Sequence, residues 1–69
     1  MIIPTYNDIL ENNEKVELKS RGWEIPISTD SAKEIMGRYS RNAHHWIMTY
    51  PEMAKIAQKL IDFENGIYL

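Results

Sequence analysis

Lys15-Val16-Glu17-Leu18-Lys19-Ser20-Arg21-Gly22-Trp23-Glu24-Ile25-Pro26-Ile27 is the stretch on which the fold turns. Val16 and Leu18 alternate with Glu17 and Lys19. Beyond Ser20-Arg21-Gly22, Trp23, Ile25 and Ile27 alternate with Glu24 and Pro26. A period of two gives each segment one apolar face, and a glycine between two such segments reads as the turn of a β-hairpin. The pattern predicts strands at about 15–19 and 23–27. Pro26 has no N–H to give to a ladder, which assigns the second strand to an edge.

One apolar face of such a hairpin must be covered, and the flanking sequence reads as helices. Thr5 is placed to cap a short helix over residues 6–12, with Tyr6, Ile9 and Leu10 on one face. Downstream, Ser28-Thr29-Asp30-Ser31 is a dense helix-start signal. Ser31 and Glu34 have capping-box spacing, and Thr29 or Asp30 are alternative caps. Ala32, Met36, Tyr39, Ala43, Trp46 and Tyr50 then recur in steps of four and three. That run fits one helix over about 31–48, or two helices broken near residues 37–40, where Gly37 costs about 1 kcal/mol relative to alanine. The final helix is expected over about 51–64. Thr49 and Glu52 have capping-box spacing, Pro51 suits a first turn, and Met53, Ile56, Ala57, Leu60 and Ile61 form a stripe. Asn65-Gly66 supplies the stop. The apolar tail Ile67-Tyr68-Leu69 is expected to pack back, to add a short strand or to serve as a contact. The expected architecture is therefore α+β: a short N-terminal helix, a hairpin, and two or three helices on one of its faces, in a single domain over residues 1–69.

A chain of 69 residues makes one domain with a thin stability margin. Self-association or a partner that completes the core is the natural expectation, and the apolar stripe of the last helix could serve as a homodimer seam. There is no cysteine, so disulfides and thiolate metal sites are excluded, and a reducing, cytoplasmic location is expected. No apolar run approaches the roughly 20 residues that span a bilayer, and the N-terminal residues carry no apolar run of signal-peptide length. The net charge of −2 argues against a wholly basic nucleic-acid coat. Charge is unevenly distributed, however. Residues 1–34 carry seven acids and four bases, whereas residues 35–51 carry Arg38, Arg41, His44 and His45 and no acid.

Catalytic chemistry finds little support. Adjacent His44 and His45 on a helix point about 100° apart and do not form an i, i+4 ligand pair. Ser40 with a histidine lacks any supporting pattern for nucleophilic catalysis. The acids Glu11, Glu14, Glu17 and Glu24 fall on a turn or on the solvent face of the expected hairpin. The isolated glycines build no phosphate loop. No enzymatic activity, cofactor or metal is expected.

Two binding readings remain. Interface hot spots favour Trp, Tyr and Arg, and interfaces as a whole also favour Met; residues 36–50 hold Met36, Arg38, Tyr39, Arg41, Trp46, Met48 and Tyr50. The plainer reading makes Trp23, Tyr39, Trp46 and Tyr50 core residues and leaves the basic side chains as contacts. The first expectation is thus a small regulator or inhibitor that binds a larger protein through Arg21, Arg38, Arg41, Asn42, His44 and His45. Proteins of this size class are frequent in phages and mobile elements. The alternative is a DNA-binding transcriptional regulator, because residues 31–47 resemble a helix-turn-helix. Ile35-Met36 precede Gly37, Ser40 stands as a cap, Ala43 and Trp46 seat the second helix, and Arg41, Asn42, His44 and His45 face outward. The motif's small residue four before the glycine is replaced by Lys33, with Ala32 one position away.

Overall fold

The computed structural model describes residues 4–40 and 42–66 and is all-helical, with no strand among them. Five helices follow in order: α1 (Tyr6–Ile9), α2 (Asn12–Ser20), α3 (Thr29–Arg38), α4 (His44–Thr49) and α5 (Pro51–Glu64). The α+β expectation is overturned, and the error lies in the hairpin. Residues 15–19 belong to α2, and residues 23–27 form an irregular connection with no strand.

The physical reason is visible in two side chains. In a strand Val16 and Leu18 share a face; in a helix they lie about 200° apart. Leu18 is fully buried at 0%, while Val16 is 60% exposed. Local interactions favour the helix. The Glu11 N–H donates to Glu14 Oε1 at 2.7 Å, and Arg21 Nε lies 2.8 Å from Glu17 Oε2 at the i, i+4 spacing that helices reward. Glu14 Oε1 also accepts from Lys59 Nζ at 2.7 Å, which ties α2 to α5.

Gly22 does make a turn, but it ends a helix. Its φ of 86° is left-handed. The Gly22 N–H donates to the Lys19 carbonyl at 3.0 Å, and the Trp23 N–H donates to the Leu18 carbonyl at 2.9 Å. These two bonds form a Schellman motif, with apolar residues at its two ends, as is usual. Beyond it, Trp23 and Ile25 are half-buried, Pro26 is buried and Ile27 is 92% exposed. The Ile27 N–H is satisfied by Ser31 Oγ at 3.1 Å rather than by a ladder.

Other boundaries move for local reasons. Thr5 caps α1 in a capping box with Asp8, but that helix stops before residue 12, because Leu10 turns extended and buries itself. Helix α3 is capped by Ser28 with Ser31 reciprocating, not by Ser31 with Glu34. The span 31–48 is not one helix. Tyr39 leaves helical geometry at φ −116° and ψ 39°. The following turn is closed by Ala43 N–H to Ser40 O at 3.0 Å and Asn42 N–H to Ser40 Oγ at 3.3 Å. Thr49 completes α4, so α5 opens at Pro51 without the expected Thr49–Glu52 box. Helix α5 itself occupies the expected residues, and Gly66 follows it with φ 81°. The tail 67–69 lies outside the described residues.

Helix α5 is the centre of the fold and packs against α2, α3 and α4. Its buried residues Met53, Ile56, Ala57 and Leu60 meet Tyr6, Leu10, Leu18, Ala32, Ile35 and Tyr39 in the core, and Ala54 is buried as well. Ile61, expected on the stripe, is only half-buried. Tyr6 stacks against Phe63 at 4.9 Å, and its hydroxyl is buried with no hydrogen-bond partner among the described residues.

Two substitutions should separate the helical fold from a hairpin. In urea denaturation, Leu18→Ala is expected to lose about 2–5 kcal/mol, and Val16→Ala less than about 0.5 kcal/mol; comparable losses at both sites would favour a shared strand face. Because a buried, unpaired hydroxyl is unfavourable, Tyr6→Phe is expected to match or exceed the wild type, by up to about 1 kcal/mol in the same assay.

Candidate basic-aromatic site

The site is organised by the place where α3 ends. Tyr39, only 6% exposed, projects three elements' aromatic rings onto one another. Its centroid lies 6.2 Å from Trp23, 5.3 Å from Trp46 and 5.9 Å from Tyr50, each pair edge-on. Trp46 and Tyr50 approach at 5.7 Å. Edge-on rings at these separations set the positive rim of one against the negative face of another. The Trp23 indole N–H points to the Tyr39 hydroxyl at a long 3.4 Å.

Cations border this cluster. The Arg21 guanidinium lies 5.0 Å from the Tyr50 ring centroid, and the Arg38 guanidinium 6.0 Å from that of Trp46; both fall in the range of cation–π attraction. The His45 ring stacks on Trp46 at 4.2 Å. The two arginines differ in one respect. Arg21 is ion-paired, and its hydrogen bond to Glu17 raises its pKa further above the ordinary arginine value. Arg38 forms no ion pair among the described residues.

Helix α4 carries the outer part of the site. None of its six residues is buried. Trp46 is half-buried against the core, whereas Ile47 is 39% and Met48 70% exposed. The fold thus gathers Arg21, Arg38 and His45 around Trp46 and Tyr50. His44 is exposed at the start of α4, and Asn42 is exposed in the preceding turn rather than on a helix. Arg41 lies outside the described residues. The sequence counts Met48 among the interface-type residues of 36–50, whereas Ile47 reads only as a member of a helical run. Their signal was the short length of α4, which lets a single aromatic do the anchoring.

The helix-turn-helix expectation meets a different geometry. Gly37 lies inside α3 and is not left-handed. The residue capping α4 is Ala43, without a side-chain cap, so Ser40 does not take that role. No cluster of three metal-ligating side chains occurs among the described residues, and no helix there is long and apolar enough to cross a membrane. A groove of about 380 Å³ between α1 and the connection 23–27 is lined by Thr5, Tyr6, Asn7, Ile25, Pro26 and Ile27, with no charged side chain. Comparison with protein-family models, curated proteins and solved structures finds no match to the chain.

Trp46 should behave as a half-buried anchor. Trp46→Ala is expected to lower the unfolding free energy by about 2–3 kcal/mol, below the ~3–5 kcal/mol of a fully buried aromatic. A denaturation midpoint unchanged from wild type would mean that α4 is not held by this ring.

Proposed function

We propose that the protein is a non-enzymatic binding module that docks a larger protein through α4 and the basic-aromatic cluster behind it. The observation that carries this reading is the composition of α4: no buried residue, two exposed apolar side chains, and arginines on the aromatic rings beneath. An apolar centre of Met and aromatic residues bordered by Arg is the composition of a contact surface. Membership of the core would instead bury Ile47 and Met48. The groove, lined without acid or base, offers no counter-argument for catalysis. We place the module in the cytoplasm, in keeping with its lack of cysteine, and we read its role as that of a regulator or inhibitor. Duplex DNA as the partner draws support from the same acid-free segment, but the six residues of α4 make a short recognition helix and Asn42 precedes it.

A photo-crosslinker at position 48 and affinity capture from cell extract test the reading. Wild type is expected to retain a discrete protein that Met48→Glu and Arg38→Glu each lose by about tenfold or more, the loss typical of a hot spot, while far-UV circular dichroism stays helical. Equal retention by wild type and both variants would remove α4 as the contact. Crosslinking only to a second copy of the chain would make the face a homodimer seam.

A further inference from the structure

The charge pattern around α4 specifies the chemistry of what binds there. All ten acids and six of the eight lysines and arginines lie outside residues 35–51. The exposed acids include Glu11, Glu24, Asp30, Glu34 and Glu52. Elsewhere Lys59 pairs with Glu14 at 2.7 Å, Arg21 with Glu17 at 2.8 Å and Lys55 with Glu52 at 3.7 Å, while Lys15, Lys19 and Lys33 form no ion pair among the described residues and lie in the acid-bearing parts of the chain. Arg38 has no such partner among the described residues and is held over Trp46 at 6.0 Å. A guanidinium resting on an indole keeps its edge donors directed away from the ring and needs little further ordering to pair with a carboxylate.

We infer that the partner segment accepted by this face is acidic, an Asp or Glu beside a large apolar side chain, with the carboxylate pairing to Arg38 and the apolar group seated on Ile47 and Met48. The inference rests on the reading of α4 as the docking face. Arg38 of α3 reaches α4 over the ring of Trp46, the residue next to Ile47 and Met48, and α4 is only about 9 Å long, so the proposal needs only one short segment. Exposed Glu34, one helical turn before Arg38, and Glu52, just beyond α4, border this face and repel an acidic partner within a Debye length of about 8–10 Å, so the carboxylate is accepted only in direct contact with Arg38, inside the acid-free residues 35–51. A nucleic acid fits less well. Its duplex carries a phosphate charge about every 1.7 Å, and a net charge of −2 with an acid-free stretch of seventeen residues offers few cations to match it.

The test uses the intact chain, immobilised, and three pools of short peptides that share Leu and Phe positions. One pool carries Asp and Glu at its variable positions, one Asn and Gln, and one Lys and Arg; a duplex DNA oligonucleotide is the fourth probe. The acidic pool is expected to be retained about tenfold over the neutral pool at low salt, a difference of ~1.4 kcal/mol, with the ratio shrinking as salt rises. Arg38→Glu should abolish that preference, Arg38→Lys should keep part of it, and Met48→Glu should release acidic and neutral pools together. Equal retention of acidic and neutral pools, both lost in Met48→Glu, would overturn the acidic partner and leave the docking face standing. Acidic peptides retained equally by wild type, Arg38→Glu and Met48→Glu would overturn both. Preferential retention of the DNA or of the basic pool, or of no pool at millimolar peptide, would overturn the inference.

Discussion

Tyr39 is the residue on which this small fold depends. It ends α3, is almost fully buried, and its ring meets those of Trp23, Trp46 and Tyr50. Those three rings come from the exit of α2, from α4 and from the junction of α4 with α5. Each aromatic pair of this kind contributes about 0.5–1.5 kcal/mol beyond area burial. For a domain with so thin a margin, such a junction supplies stability that a cysteine-free chain cannot draw from disulfides. It also explains why α4 exists as a separate element. The backbone leaves helical geometry at Tyr39, turns over Ser40 and re-enters a helix whose single inward aromatic is Trp46.

That arrangement determines what the surface can do. Helix α4 is anchored from beneath by aromatic contacts, and none of its residues is buried. Ile47 and Met48 remain accessible, and the exposed Arg21 and Arg38 carry their guanidinium groups 5.0 and 6.0 Å from the ring centroids of Tyr50 and Trp46. Stability and recognition draw on the same residues here. The inner half of Trp46 belongs to the core, and its neighbours along the chain belong to the contact face.

The sequence made the central helix legible because Met53, Ile56, Ala57 and Leu60 recur at helical spacing between Pro51 and Asn65-Gly66, and each of these four is buried. Thr5 as a cap and Gly66 as a left-handed stop were equally legible, since each depends on neighbouring backbone alone. The hairpin was misread because Val16 and Leu18 alternate by chance of composition. What places Leu18 inward is the packing of α2 on α5, and the Glu14–Lys59 ion pair between the two helices spans 45 residues. Gly22 favours a left-handed turn in either reading; only the hydrogen bonds back to Lys19 and Leu18 distinguish a helix end from a hairpin. Of the candidate contacts, the acid-free segment points to Arg38 and His45, and the fold brings them together with Arg21 through rings that the sequence alone leaves between core and contact. Asn42 had been attached to a helix face that the break after Tyr39 removes.

The central claim is that an aromatic junction at Tyr39 joins an all-helical chain and holds α4 outward. Nuclear Overhauser contacts in the isotope-labelled protein address it most directly. The account predicts ring-to-ring contacts from Tyr39 to Trp23, Trp46 and Tyr50, with helical sequential contacts through residues 12–20. Cross-strand Hα contacts between residues 15–19 and 23–27, or a Tyr39 ring without contacts to Trp46 and Tyr50, would contradict it.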